Sequence, residues 1–102
     1  LDDVFAKGDV LHVPMLSQPV PTMASIEKAL AGEPDLSFNL AANTRPFNYL
    51  GLPALSIPCG FTDNGLPAAF QLVGMPFSEG RLFNLGHVFQ SATDHHRAVP
   101  PL

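Results

Sequence analysis

This 102-residue chain has no tryptophan, one tyrosine, one cysteine and five basic residues. Charged residues make up 14% of it, where a soluble domain usually has about 25%. Each shortage excludes something. One cysteine cannot form an intrachain disulfide or supply a multi-cysteine metal cluster. Five scattered cations and a formal charge of −4 do not make the clustered basic face that neutralises phosphates, so a nucleic-acid partner is not expected. No apolar run approaches the roughly 20 residues that span a bilayer, so no membrane partner is expected either. Disorder goes with low hydrophobicity and high net charge, whereas 46% of these residues are apolar.

What is present is proline (11 residues) and phenylalanine (eight of the nine aromatics). Length allows one domain. Surface scaling for this mass gives a compact area of roughly 5,600 Å², against roughly 15,800 Å² unfolded. From Phe47 to Phe77 the only charged side chain is Asp63. Part of so neutral a stretch must reach the surface of a body this small, and large exposed apolar patches mark contact sites. The chain begins at Leu1 with no charged region and apolar core of a signal peptide. Both features read as a piece of something longer, or a processed product, that packs against more protein.

Local signals divide the chain. Residues 1–8 read as the end of a helix, with Gly8 in the left-handed position after it. Val10 to Val13 is β-prone and closed by Pro14, and the Pro-bearing stretch 15–24 reads as extended loop. Ser25 to Ala31 reads as a short helix with Ser25 as N-cap and Gly32 just past its end. Asp35 can cap a helix through Leu36, Phe38 and Leu40. Thr44 can cap a further helix that carries Pro46 in its first turn and stops at Gly51. Ala54–Pro58 and Pro67–Val73 read as strands joined through the Thr62–Gly65 turn, with Pro58 and Pro67 at edges or irregular ends. Ser78 opens the last helix, where Leu82, Leu85, Gly86 and Phe89 recur on one face and Phe83 and Val88 widen the apolar side. That helix should fade near Asp94–His96.

Chemistry-bearing residues are few. His87, His95, His96 and Asp94 are the one candidate metal set. Surface exposure and the favourable negative helix end account for the adjacent pair without a metal. His12 reads as a satisfied strand histidine. Cys59 has no local base or cation to make a thiolate, and reads as a buried small residue. Ser56, in Leu-Ser-Ile-Pro, lacks the glycines of a nucleophile elbow. The residues alone give an α/β segment without a complete catalytic set.

Residues 44–74 carry a denser pattern: Thr44, Pro46, Asn48, Gly51, Pro53, Ala54, Ser56, Pro58, Gly60, Gly65, Leu66, Pro67, Gln71 and Gly74. This pattern resembles the C-terminal region of the amidase signature family. The flanks resemble it too: Asp9-Val10-Leu11 with Pro14 matches the family's strand before a Pro-rich loop, and Phe77 to Phe89 its closing helix. The resemblance implies an α/β fold, part of a mixed β-sheet flanked by helices, with residues 1–102 the C-terminal fragment of a single amidase domain. It implies hydrolysis of a carboxamide C–N bond by a Ser-Ser-Lys mechanism, without metal or organic cofactor. Neither Lys7 nor Lys28, and none of the six serines, fits the family's catalytic motifs, so the chain alone is expected to be inactive. The family's use of this region suggests a pocket wall, with Met15, Leu16, Asn43 and Phe47 as candidates. The expected partners are a small-molecule amide and the missing N-terminal half, in the cytoplasm. Self-association into a homo-oligomer, or a non-catalytic interaction remnant, stays open. So does the A-type component of a glutamyl-tRNA amidotransferase, although the Asp such components carry before Thr-x-Pro is Ala41 or Ala42 here.

Overall fold

A computed structural model describes residues 2–32 and 40–101. The helix expected from Asp35 through Phe38 therefore lies outside the described residues, and Leu40 sits in a turn. The elements run α1 (Asp2–Phe5), β1 (Leu11–Pro14), α2 (Met23–Leu30), α3 (Arg45–Leu50), β2 (Ala54–Phe61), β3 (Pro67–Val73), α4 (Glu79–Ala92) and a 3₁₀ turn (His95–Arg97). This is a three-stranded antiparallel sheet, order β1-β3-β2, flanked by helices. The α/β class holds, and both described pairings are antiparallel.

Proline positions follow from the ladder. Gly74 donates its N–H to the Pro53 carbonyl at 3.1 Å. In an antiparallel pair this sets the alternation, so residues 53, 55 and 57 aim backbone groups at β3 while 54, 56 and 58 aim them away. Pro58 thus lacks only an N–H that would face outward, the edge placement proline requires. Pro67 opens β3 opposite Phe61. The register slips between Pro58 and Gly60, leaving Cys59 as the extra residue of a β-bulge, and β2 runs on to Phe61, past the expected end at Pro58. Gly60 takes φ +131° at the bulge, a conformation closed to most side chains.

Several helix ends differ from expectation. α2 starts two residues early because Thr22, not Ser25, is its cap; the Thr22 hydroxyl accepts the Ser25 N–H at 3.1 Å. Two hydroxyl residues three positions apart give equivalent local signals, and the chain uses the earlier one. Thr44 does precede α3 and Gly51 ends it at φ +67°. Yet the Thr44 hydroxyl donates to the Ala41 carbonyl rather than capping the helix. Ser78 likewise donates to the Met75 carbonyl at 2.6 Å and makes no side-chain cap. Gly8 lies three residues beyond α1 and is not left-handed.

The core sits between α4 and one sheet face, where Ile57, Leu72 and Leu82 are buried and Leu55, Phe70 and Phe89 pack around them. Gly86 permits this contact: a Cβ there would lie 2.9 Å from Leu55 Cδ2. An exposed Arg81–Asp9 ion pair (2.7 Å) ties the start of α4 to the approach to β1. The body is a thin slab, 42 × 35 × 18 Å, with a radius of gyration of 16.1 Å, where a compact domain of this length has about 13 Å. No described helix is long and apolar enough to cross a membrane.

Candidate functional site

A concavity of about 690 Å³ opens where β1 stops short of its neighbours. Its volume falls within the range of small-molecule sites. β1 ends at Pro14, and the Met15 N–H adds one more bond, to Ala69 O at 3.2 Å. The chain then turns off the sheet. Met15, Leu16 and Val20 form one wall; Ser56, Cys59 and the start of β3, Pro67 to Phe70, form the other. The lining is mainly apolar, with His12, Ser17, Gln18, Ser56 and Thr62 as its polar residues. No Asp, Glu, Lys or Arg lines it among the described residues.

A hydrogen-bond relay fixes the first wall. Gln71 is 3% exposed in the middle of β3. Its Nε2 donates to the Asn43 carbonyl at 2.6 Å, and Asn43 Nδ2 donates to the Pro14 carbonyl at 3.0 Å. Three segments far apart in sequence are thereby joined at the point where the loop leaves the sheet. A buried amide needs such a partner, since leaving it unpaired costs about 1–3 kcal/mol.

The four expected wall residues divide. Met15 and Leu16 line the concavity, whereas Asn43 lies behind it and holds the loop through Pro14. Phe47 is half-buried on α3 and is not among the lining residues. Cys59, expected to be buried, is half-buried and lines the concavity, because the bulge turns it out of the strand alternation. Gln71 stands in the sequence as the lone polar residue of an apolar strand, which is the available sign that it needs a partner.

The lining includes Ser, Cys and His, but the sheet keeps them apart. His12 is opposite Leu72 and Ser56 is opposite Gln71, so by strand alternation their side chains lie on opposite faces. Cys59 is on β2 and His12 on β1, with β3 between them. That separates the backbones by about 9.6 Å across the sheet alone, beyond the reach of a nucleophile–base hydrogen bond. His95 stacks on Phe89 with ring centroids 6.3 Å apart and sits against Gly60, lining a separate concavity with Pro58 and Gly60. No group of three or more metal-ligating side chains occurs among the described residues. These residues can shape and bind; they do not assemble an activated nucleophile.

The model of the Amidase family matches residues 1–83. The chain belongs to the amidase family. It is similar to the A-type component of the glutamyl-tRNA(Gln) amidotransferase of Bacillus velezensis, 41% identical over 101 residues, which cover 99% of this chain and 20% of that protein. The corresponding protein of Desulforudis audaxviator is 41% identical over 100 residues, 98% of this chain and 19% of that one. A Mycobacterium bovis protein named as an amidase, AmiD, is 38% identical over 99 residues, 97% of this chain and 21% of that protein. The chain thus spans about a fifth of the length of the curated relatives it matches. The α/β architecture agrees with membership of this family.

Proposed function

We propose that this chain is the C-terminal portion of an amidase that hydrolyses a carboxamide, and that it supplies sheet strands and a neutral pocket wall rather than the reacting groups. One observation carries the reading: the chain matches its relatives almost end to end yet covers a fifth of their length. The concavity beside Met15 and Leu16, which holds no base paired with a nucleophile, agrees with it. Met15 and Leu16 would form the wall, with Asn43 holding it in register and Phe47 supporting α3 behind it. The Ser-Ser-Lys machinery is carried outside these residues. There a base-activated hydroxyl attacks the amide carbon while backbone N–H groups receive the developing oxyanion. The substrate is a small amide, no cofactor is needed, and the enzyme is cytoplasmic under this reading. The test is ammonia release from a simple carboxamide such as propionamide. The chain alone should give none above buffer, and serine-dependent turnover by the chain alone would refute the assignment.

A second reading, the A-type component of an amidotransferase, is supported by the 41% identity to two such proteins. Against it, the family resemblance puts Ala41 or Ala42 where such components commonly carry Asp. These two alanines line a smaller concavity of about 370 Å³ with Arg45 and Tyr49, and no carboxylate is among its lining residues. An enzyme containing this chain that used glutamine as nitrogen donor would favour the second reading over the first.

A further inference from the structure

Among the described residues, no carboxylate, ammonium or guanidinium group lines the concavity that Met15 and Leu16 help to form. Its apolar wall is Met15, Leu16, Val20 and Phe70, and its hydroxyls and amide carry no charge. His12 is the one basic side chain on the lining. It is exposed, with its ring against Phe70 at a centroid distance of 4.6 Å. An ionised group brought into such a place loses water and gains no counter-charge, which is strongly unfavourable. An apolar group gains by leaving water there.

The wall is also built in advance. Pro14, Pro19 and Pro21 each fix φ along the loop. The relay from Gln71, 3% exposed, through Asn43 to the Pro14 carbonyl holds the root of that loop against the sheet. A wall fixed in this way spends little binding energy on ordering itself. With about 690 Å³ available, the concavity has room for a chain of several methylenes beyond the carboxamide carbon. Propionamide would leave most of it empty.

We infer that this concavity is the acyl pocket of the enzyme, and that it selects carboxamides with an uncharged apolar acyl group over those that carry a carboxylate or an ammonium. The inference rests on the reading of the chain as part of a hydrolytic amidase, and names the substrate class of that same site. Leu16, half-buried on the wall, is a specificity-determining residue. Glutamine, which carries both charges, fits the pocket poorly for the same reason. Cys59, turned into the concavity by the β-bulge, gives a native probe of its occupancy.

The test uses the full polypeptide that carries this sequence. Ammonia release is compared for propionamide, hexanamide and the monoamide of adipic acid, in which a carboxylate replaces the terminal methyl of hexanamide. The kcat/KM for hexanamide should exceed each of the others by at least about tenfold, the scale on which apolar pockets sort substrates. Hexanamide should also slow the labelling of Cys59 by methyl methanethiosulfonate, followed on the peptide that contains it, and the adipic monoamide should not. Leu16→Lys should shrink the preference for hexanamide over the adipic monoamide by at least about tenfold, a change that a merely weakened fold would not produce. If propionamide or the adipic monoamide is hydrolysed as well as hexanamide, the inference falls and the amidase reading stands. The same holds if hexanamide does not slow the labelling of Cys59. Labelling that begins only after denaturation would mean that another segment fills the concavity, which also overturns the inference. Ammonia from none of the three amides overturns the amidase reading itself.

Discussion

The two sides of α4 have nearly the same composition and opposite fates. Toward the sheet, Leu82 and Gly86 are buried and Phe89 is half-buried between Phe70 and His95. Away from it, Phe83 and Val88 stand in solvent. Propensity and hydropathy do not distinguish these residues; only the presence of a facing layer does. An apolar helix face is a demand for a partner, and here half of that demand is met inside the chain.

Substitutions on the two sides should separate sharply, and the largest effect belongs to the inner one. Leu82→Ala should destabilise the chain by about 3 kcal/mol, the cost of lost transfer energy plus a cavity beside Ile57 and Leu72. Urea unfolding measures it. Gly86→Leu should cost about 2 kcal/mol by overpacking against Leu55, despite the better helix propensity of leucine; a gain in stability would mean that α4 is not seated on β2 as described. Gln71→Leu should cost about 1–2 kcal/mol by leaving the Asn43 carbonyl without its donor. Its mark should be local, with amide exchange quickening at Asn43 and Met15 more than at Ile57. The smallest effect is on the outer side: Val88→Asp should change the stability of the free chain by less than about 0.5 kcal/mol. A loss as large as that of Leu82→Ala would erase the distinction between the two sides.

Much of the fold is legible in the sequence because its punctuation is local. Pro67 and Gly74 bracket β3, Asn64-Gly65 places the turn with Gly65 at φ +81°, and Thr44, Pro46 and Gly51 bound α3. What escapes is set by tertiary partners. Leu85 belongs to the apolar period of α4, yet it is 42% exposed because β2 covers a narrower arc than the period suggests. The hydroxyls of Thr44 and Ser78 suit N-caps by type, but nearby carbonyls at Ala41 and Met75 take them. Of the site, Met15 and Leu16 follow from the loop after Pro14. The Gln71–Asn43 bond joins residues 28 apart, and no local pattern encodes such a pairing. Phe47 falls outside the lining for a related reason: an aromatic on a short helix does not reveal which side the pocket lies on.

The most direct measurement of the central claim is the intact mass, under denaturing conditions, of the polypeptide that carries this sequence in its native cells. The predicted result is a single chain about five times the 10.9 kDa of these residues, since they cover a fifth of their relatives. A sole species of 10.9 kDa would contradict it.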